Sequence, residues 1–391
     1  MGTRVAITGL GVVSNAGVGT EVFWNSLLNG VPAHGFHIAD FDPLPYFDGN
    51  AKEARRADRF QQLALAATHE AITQAGEFLD DPEAAGVWIG TGIGGLETLE
   101  KQVNVLTEKG PRRVSPFLVP MLMSNAASAS VSMKYGLQGP CETTVTACAA
   151  GTHSISRAAD LIRFGKAKVM VTGGAEATLT PIGIQGFINM TAVSSSGISR
   201  PFDQDRDGFM QSEAAGVVIL EEWEHAEARG ATILAEFLGS GSTADAHHIT
   251  APSPGGSGAI RCMRLAISDA GLSPSDIGHI NAHGTSTPLN DAAEAGAIKE
   301  VFGTGNPLVT STKSVTGHAL GAAGAIEAIA VVLSMLHGKI TPTHGTTNVD
   351  SSIAQINLVT GKPKDWVPSP SLSNSFGFGG HNGTIVIGPV T

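Results

Sequence analysis

Thr146-Ala147-Cys148-Ala149-Ala150-Gly151 sets one of only three cysteines between an apolar segment and a helix-like run from Gly151 to Phe164. A thiol at that point faces the unpaired amides of a helix N-terminus, which favour thiolate and predict a lowered pKa. Taken singly, a cysteine among small residues reads most simply as a packed apolar side chain. Cys141 and Cys262 fit that reading. The second half of the chain then supplies His283 in Asn281-Ala282-His283-Gly284-Thr285-Ser286-Thr287 and His318 in Lys313-Ser314-Val315-Thr316-Gly317-His318-Ala319-Leu320-Gly321. One cysteine with two histidines in glycine-rich surroundings points to a covalent acyl-transfer site.

Working outward, strands and helices alternate. Strands are expected at Val5–Thr8, Val87–Ile89, Lys168–Thr172 and Ala215–Leu220, with helices at Phe23–Leu28, Arg56–Ala75 and Ser124–Tyr135. After Gly239-Ser240-Gly241-Ser242 the pattern restarts. Helices are expected at Ala259–Ala270, Asn290–Val301 and Ala322–Met335, and strands at His279–Ala282, Leu372–Asn374 and Thr384–Ile387. The alternation predicts an α/β protein with largely parallel sheets covered on both sides. Two halves are expected, 1–240 carrying the cysteine and 241–391 carrying the histidines. Cys148-Ala149-Ala150-Gly151 is echoed by Gly321-Ala322-Ala323-Gly324, which suits a duplicated fold whose equivalent helices meet in the middle.

The length of 391 residues allows two or three domains, or two fused halves sharing a core. With 49 glycines and 15% charged residues, the chain reads as a tightly packed enzyme. A net charge of -11 argues against general nucleic-acid binding, which needs clustered Lys and Arg. Three scattered cysteines make no disulfide framework and no metal pair, so a reducing, cytoplasmic setting is expected. Neither a signal peptide nor an apolar run of membrane-spanning length is expected. Gly90-Thr91-Gly92-Ile93-Gly94-Gly95 matches a dinucleotide-binding pattern but lacks a ribose-binding acid at the usual spacing, and reads better as a turn lining a pocket. Adjacent His247 and His248 cannot readily share one metal ion, and no metal is expected.

From Arg4-Val5-Ala6-Ile7-Thr8-Gly9-Leu10-Gly11 to Asn374-Ser375-Phe376-Gly377-Phe378-Gly379-Gly380-His381-Asn382-Gly383, the chain resembles the elongating β-ketoacyl-acyl-carrier-protein synthases of the thiolase superfamily, type II polyketide ketosynthases included. The resemblance implies a thiolase-like fold, two duplicated halves in a five-layered α-β-α-β-α sandwich. It implies a decarboxylative Claisen condensation of malonyl-carrier protein with an acyl chain held as a thioester on Cys148. His283 and His318 are then the donors to the developing enolate oxygen, and the amides of Cys148 and Phe378 form a second oxyanion hole. Lys313 resembles the motif lysine that bonds Glu327, and Asp291 the acid behind the His283 loop. Thr285 and Thr287 match threonines that bond the phosphopantetheine arm. Phe376 and Phe378 lie in a glycine-rich loop that gates the site. Ile93, Phe187 and Phe209 match positions lining the acyl cavity, and a bulky Ile93 implies restricted depth.

The partner implied is an acyl carrier protein, met by a local basic patch of Lys52, Arg55, Arg56, Arg112 and Arg113 on an acidic protein. The resemblance implies no tightly bound cofactor, since the pantetheine belongs to the carrier. It also implies a dimer through an edge strand of the first half, either homodimeric or paired with a chain-length factor. In Gly208-Phe209-Met210-Gln211-Ser212-Glu213-Ala214-Ala215-Gly216, Ser212 and Ala214 replace two glycines of the family pattern, a change expected to bear on substrate choice rather than on Cys148, His283 or His318. Fatty-acid elongation is the leading reading, with a polyketide or polyene ketosynthase subunit as the alternative. A non-catalytic subunit is disfavoured by the retained triad, and a thiolase by the lack of any cysteine after Cys262.

Overall fold

Ten strands, built in two sets of five, carry the molecule. The computed structural model describes residues 3–30, 36–303 and 307–390. The first set is β1 (Val5–Ser14), β2 (Ala85–Gly90), β3 (Cys141–Glu142), β4 (Val169–Glu176) and β5 (Ala214–Glu222). The second is β6 (Ala235–Ala244), β7 (His279–Asn281), β8 (Leu308–Thr310), β9 (Ser371–Gly377) and β10 (His381–Gly388). In space the first set runs β3-β2-β4-β5-β1 and the second β8-β7-β9-β10-β6, which is the same order in each half. The two edge strands meet where Val5–Ile7 of β1 pairs with Ala235–Phe237 of β6.

The pairing directions repeat too, and they correct the expectation of largely parallel sheets. β2 is parallel to β3 and β4, and β7 to β8 and β9. β5 is antiparallel to β4 and β1, and β10 to β9 and β6. In the first half the chain between β4 and β5, residues 177–213, travels back before β5 begins, and in the second half a tight loop at 378–380 turns β9 into β10. Hydropathy alternation carries no information on either reversal.

Helix α1 (Arg59–Ala75) covers the outer face of the first sheet. Asp58 caps it in a reciprocal box with Gln61, which is why the helix starts three residues later than its apolar periodicity suggests. α2 (Leu96–Lys109) and α3 (Ala126–Tyr135) follow. α4 (Ala150–Arg163) lies between the sheets, and α5 (Pro181–Asn189) follows β4. In the second half α6 (Ser257–Asp269) and α7 (Pro288–Phe302) form the outer cover, and α8 (Ala323–His337) joins α4 at the centre. The result is the five-layered α-β-α-β-α sandwich. Leu320–His337 is the one described helical stretch apolar and long enough to cross a membrane, and it is 89% buried in this core.

The expected division at 240/241 falls inside β6. Gly239-Ser240-Gly241-Ser242, after which the sequence pattern restarts, lies within this strand, and its glycines serve close packing. A Cβ on Gly241 would stand 2.2 Å from the Cys262 carbonyl oxygen of α6.

The central contact is tighter still. A Cβ on Gly324 would lie 2.0 Å from Thr152 Oγ1, and one on Gly151 would lie 2.9 Å from Ala325 N. The repeated Ala-Ala-Gly is therefore where α4 and α8 touch. The variant Gly324→Ala should cost about 1–3 kcal/mol of stability by overpacking, read as a lower urea midpoint; an unchanged midpoint would contradict this contact.

Candidate active site

Two matching elbows build the site. Ala147 and Leu320 both take left-handed backbone, with φ of 49° and 43°, and each opens a single turn that leads into a central helix. Cys148 sits on the first elbow, and Gly321 holds the matching place on the second. Non-glycine residues rarely adopt this conformation, and they do so where surrounding structure holds them.

His318 lies just before the second elbow, with Nε2 3.0 Å from Cys148 Sγ. His283 follows β7, and its ring stands 5.3 Å from that of His318, edge to face. Lys313 Nζ is 3.4 Å from His283 Nδ1 and forms a buried ion pair with Glu327. An ammonium only donates, so His283 Nδ1 accepts and its Nε2 carries the proton. Burial lowers the pKa of both histidines well below the ordinary value, and the Lys313 charge lowers them further. Two neutral imidazoles therefore face one thiol.

The cysteine departs from expectation. Burial pushes its pKa up to about 11, although the Lys313 charge and the amide of Phe378 oppose that shift. Desolvation outweighs the helix terminus because Cys148 is only 6% exposed. The resting group is a thiol hydrogen-bonded to neutral His318.

A cleft of about 490 Å³ reaches these three residues, and Phe187, Phe209, Phe376, Phe378, Thr285 and Thr287 line it. Phe209 meets the His318 ring edge-on at 5.2 Å, and Phe187 lies 5.5 Å from Phe209 and 6.4 Å from Phe378. Thr285 and Thr287 share a 2.9 Å hydroxyl contact. Ile93, in contrast, is 42% exposed and does not line this cleft. Lys52, Arg55, Arg56, Arg112 and Arg113 are all exposed. The Arg56 guanidinium lies 4.0 Å over the Phe117 ring, joining the two basic segments into one patch.

Two buried carboxyls escaped the sequence reading. Glu294 accepts from the amides of His283 and Gly284, both at 2.8 Å, and so fixes the His283 peptide. Asp291, expected behind the His283 loop, accepts from the Phe202 amide at 2.8 Å and bonds the backbone of Ser286 in that loop. Glu176 bridges the amides of Gly92 and Gly321 at 2.5 and 3.0 Å, tying the turn after β2 to the second elbow. Burial raises the pKa of Glu176 and Glu294 to about 7. Both sit among small residues, where only spatial neighbours reveal their use.

The substituted segment 208–216 does touch the triad. The amide of His318 donates to Met210 O at 2.7 Å, and the amide of Ser212 donates to His318 O at 3.1 Å. The buried Ser212 hydroxyl has no partner. His248 Nδ1 caps the amides of Thr250 and Ala251, each at 3.1 Å, which leaves it poorly placed for a metal. Among the described residues, Cys148, His283 and His318 are the one group whose donor atoms lie within 4.8 Å of one another.

Two family models match the chain, the beta-ketoacyl synthase N-terminal domain over residues 33–226 and the C-terminal domain over 234–347. A 3-oxoacyl-[acyl-carrier-protein] synthase 2 from Synechocystis sp. is 44% identical over 98% of this chain and 97% of its own length. Among solved structures, the ishigamide ketosynthase/chain length factor superposes with a TM-score of 0.92 at 32% identity, covering all of both chains. A type II polyketide ketosynthase, bound to its hexaketide and in complex with its acyl-carrier protein, gives 0.90 at 31% identity over the same full coverage.

Because the thiol is raised, its thiolate fraction should grow about tenfold per pH unit. Iodoacetamide alkylation of Cys148 should therefore climb steadily from pH 7 to pH 9. A plateau below pH 8 would contradict the buried-thiol description.

Proposed function

This chain belongs to the beta-ketoacyl synthase family, and from that premise we propose that Cys148 carries the acyl chain while His283 and His318 stabilise the malonyl-derived enolate in a 3-oxoacyl-carrier-protein synthase reaction. The observation that carries this reading is the meeting of Cys148 Sγ with His318 Nε2 at 3.0 Å, beside a His283 whose Nδ1 is held by Lys313.

The steps follow from that geometry. Cys148 sulfur attacks the acyl thioester, the new C–S bond forms, and the pantetheine thiol leaves with the proton. The amides of Cys148 and Phe378 receive the oxygen charge of the tetrahedral intermediate. Malonyl-carrier protein then enters. Its terminal C–C bond breaks, carbon dioxide departs, and the electron pair moves onto the thioester oxygen. Neutral imidazoles donate Nε2–H bonds to that oxygen without adding a net charge that the apolar cleft would penalise. The enolate carbon attacks the acyl-cysteine carbonyl, a C–C bond replaces the C–S bond, Cys148 departs as thiolate and takes a proton from water to restore the thiol, and the 3-oxoacyl chain leaves on the carrier.

Thr285 and Thr287, at the cleft, suit the amide-rich pantetheine arm, and Phe376 and Phe378 suit a gate whose glycines permit movement. The basic patch joined by Arg56 and Phe117 suits an acidic carrier protein. Fatty-acid elongation is favoured by the higher identity to the 3-oxoacyl synthase than to the polyketide neighbours. On α2, Leu99, Val103 and Leu106 form an exposed stripe at helical spacing close to α5, whose Ile182 and Ile188 are exposed as well. Together with the open edge at β3, this face suits a second copy of the chain or a chain-length partner.

Incubation with an acyl-carrier protein and malonyl-carrier protein should yield a 3-oxoacyl product two carbons longer than the primer. The variant His283→Ala should lower its rate by about 100-fold or more, in line with loss of one oxyanion donor. Full activity without His283 would refute the assigned role. Arg112→Glu with Arg113→Glu should raise KM for carrier-borne substrate about tenfold while changing kcat little. An unchanged KM would remove the patch from the account.

A further inference from the structure

His153 lies on α4, one turn beyond Cys148, buried and outside the cleft. Its Nε2 is 3.1 Å from the Asn382 carbonyl oxygen and 3.2 Å from Ser242 Oγ, while its Nδ1 is 2.9 Å from Thr146 Oγ1. A carbonyl accepts only, so Nε2 bears the proton. Nδ1 is then the acceptor and the Thr146 hydroxyl donates to it. Burial holds the ring's pKa below the ordinary value, so it stays neutral, and these partners fix the tautomer.

The two ends of that ring grip different segments. Thr146 begins the elbow, immediately before the left-handed Ala147 and then Cys148. Asn382 lies just after the glycine-rich tip that carries Phe378, in the hairpin closed by the Gly377–His381 pair. Its side-chain amide is fixed in turn by Asp245 at 2.7 Å. The hairpin also presses on the elbow, since a Cβ on Gly377 would stand 3.0 Å from Cys148 N. Gly383 leaves room for the imidazole, since a Cβ there would lie 3.0 Å from its Nε2. A second stitch, Thr152 Oγ1 to Ser375 Oγ at 2.7 Å, holds α4 to β9.

We infer that His153 is a positioning residue that clamps the cysteine elbow to the Phe378 hairpin and so fixes the separation of the Cys148 and Phe378 amides. The inference rests on the proposed oxyanion role of those two amides. It predicts a selective defect. Thioester attack builds an oxyanion, whereas alkylation of the same sulfur does not. Loosening the clamp should slow the first and spare the second.

The test uses the purified full chain with octanoyl-carrier protein, following acylation of Cys148 by intact mass in a single turnover, beside iodoacetamide alkylation of the same residue. The variants are His153→Leu, His153→Gln and Thr146→Val, the last removing the hydroxyl donor without altering the ring. Acylation should fall about 10- to 100-fold in His153→Leu and Thr146→Val, as displaced oxyanion donors imply. His153→Gln, which can still donate to the Asn382 carbonyl, should fall less. Alkylation should stay within about threefold of the parent, and the double variant should be no slower than the worse single one. Unchanged acylation in folded variants overturns the inference alone, as does a parallel loss of alkylation, which marks general distortion. A parent protein that never takes up the acyl chain overturns the proposed function and this clamp together.

Discussion

Everything at the site depends on the contact between α4 and α8 at Gly151 and Gly324. These two glycines let the N-termini of two equivalent helices approach until backbone meets backbone, which no larger side chain permits. That approach brings Cys148, from the first half, within hydrogen-bonding distance of His318, from the second. The identical strand order of the halves makes the approach symmetric, and the matching left-handed residues Ala147 and Leu320 show the symmetry reaching single dihedral angles. Chemistry has broken it: one elbow carries a thiol, while the other carries a glycine whose amide is held by the buried Glu176.

The second constraint is dryness. Cys148, His283, His318, Lys313 and Glu327 are all buried, so each ionisation is expensive unless paired. The pairing chosen leaves the imidazoles neutral and confines charge to Lys313 and Glu327, behind His283. Such an arrangement suits a reaction in which negative charge appears on one thioester oxygen, then on another, and never needs a permanent counter-ion in the cleft. The raised thiol fits the same logic, because its proton departs only when an acyl carbonyl is there to be attacked.

Much of this could be read in the chain beforehand. Cys148, His283 and His318 stand in distinctive short motifs, and the restart of the strand–helix alternation announced two halves. The Ala-Ala-Gly echo, slight as text, marked the central contact. Other features are properties of neighbours in space. Strand direction in β5 and β10 was hidden because hydropathy does not encode polarity. Gly239 and Gly241, where the pattern restarts, are packing glycines under α6. Helix α2 was not read from the sequence, and it turns its apolar stripe outward. The helix-terminus argument for Cys148 left out the greater cost of burial. Ser212 sits in a segment that pairs with the backbone of His318, a proximity that over a hundred residues of intervening sequence conceal.

Peptide mapping after brief exposure to acyl-carrier protein, with malonyl-carrier protein withheld, measures the heart of this account. The acyl mass should appear as a thioester on the peptide containing Cys148, and it should vanish when malonyl-carrier protein is added. Label on Cys141 or Cys262 instead, or condensation proceeding with no acyl-enzyme at all, would contradict it.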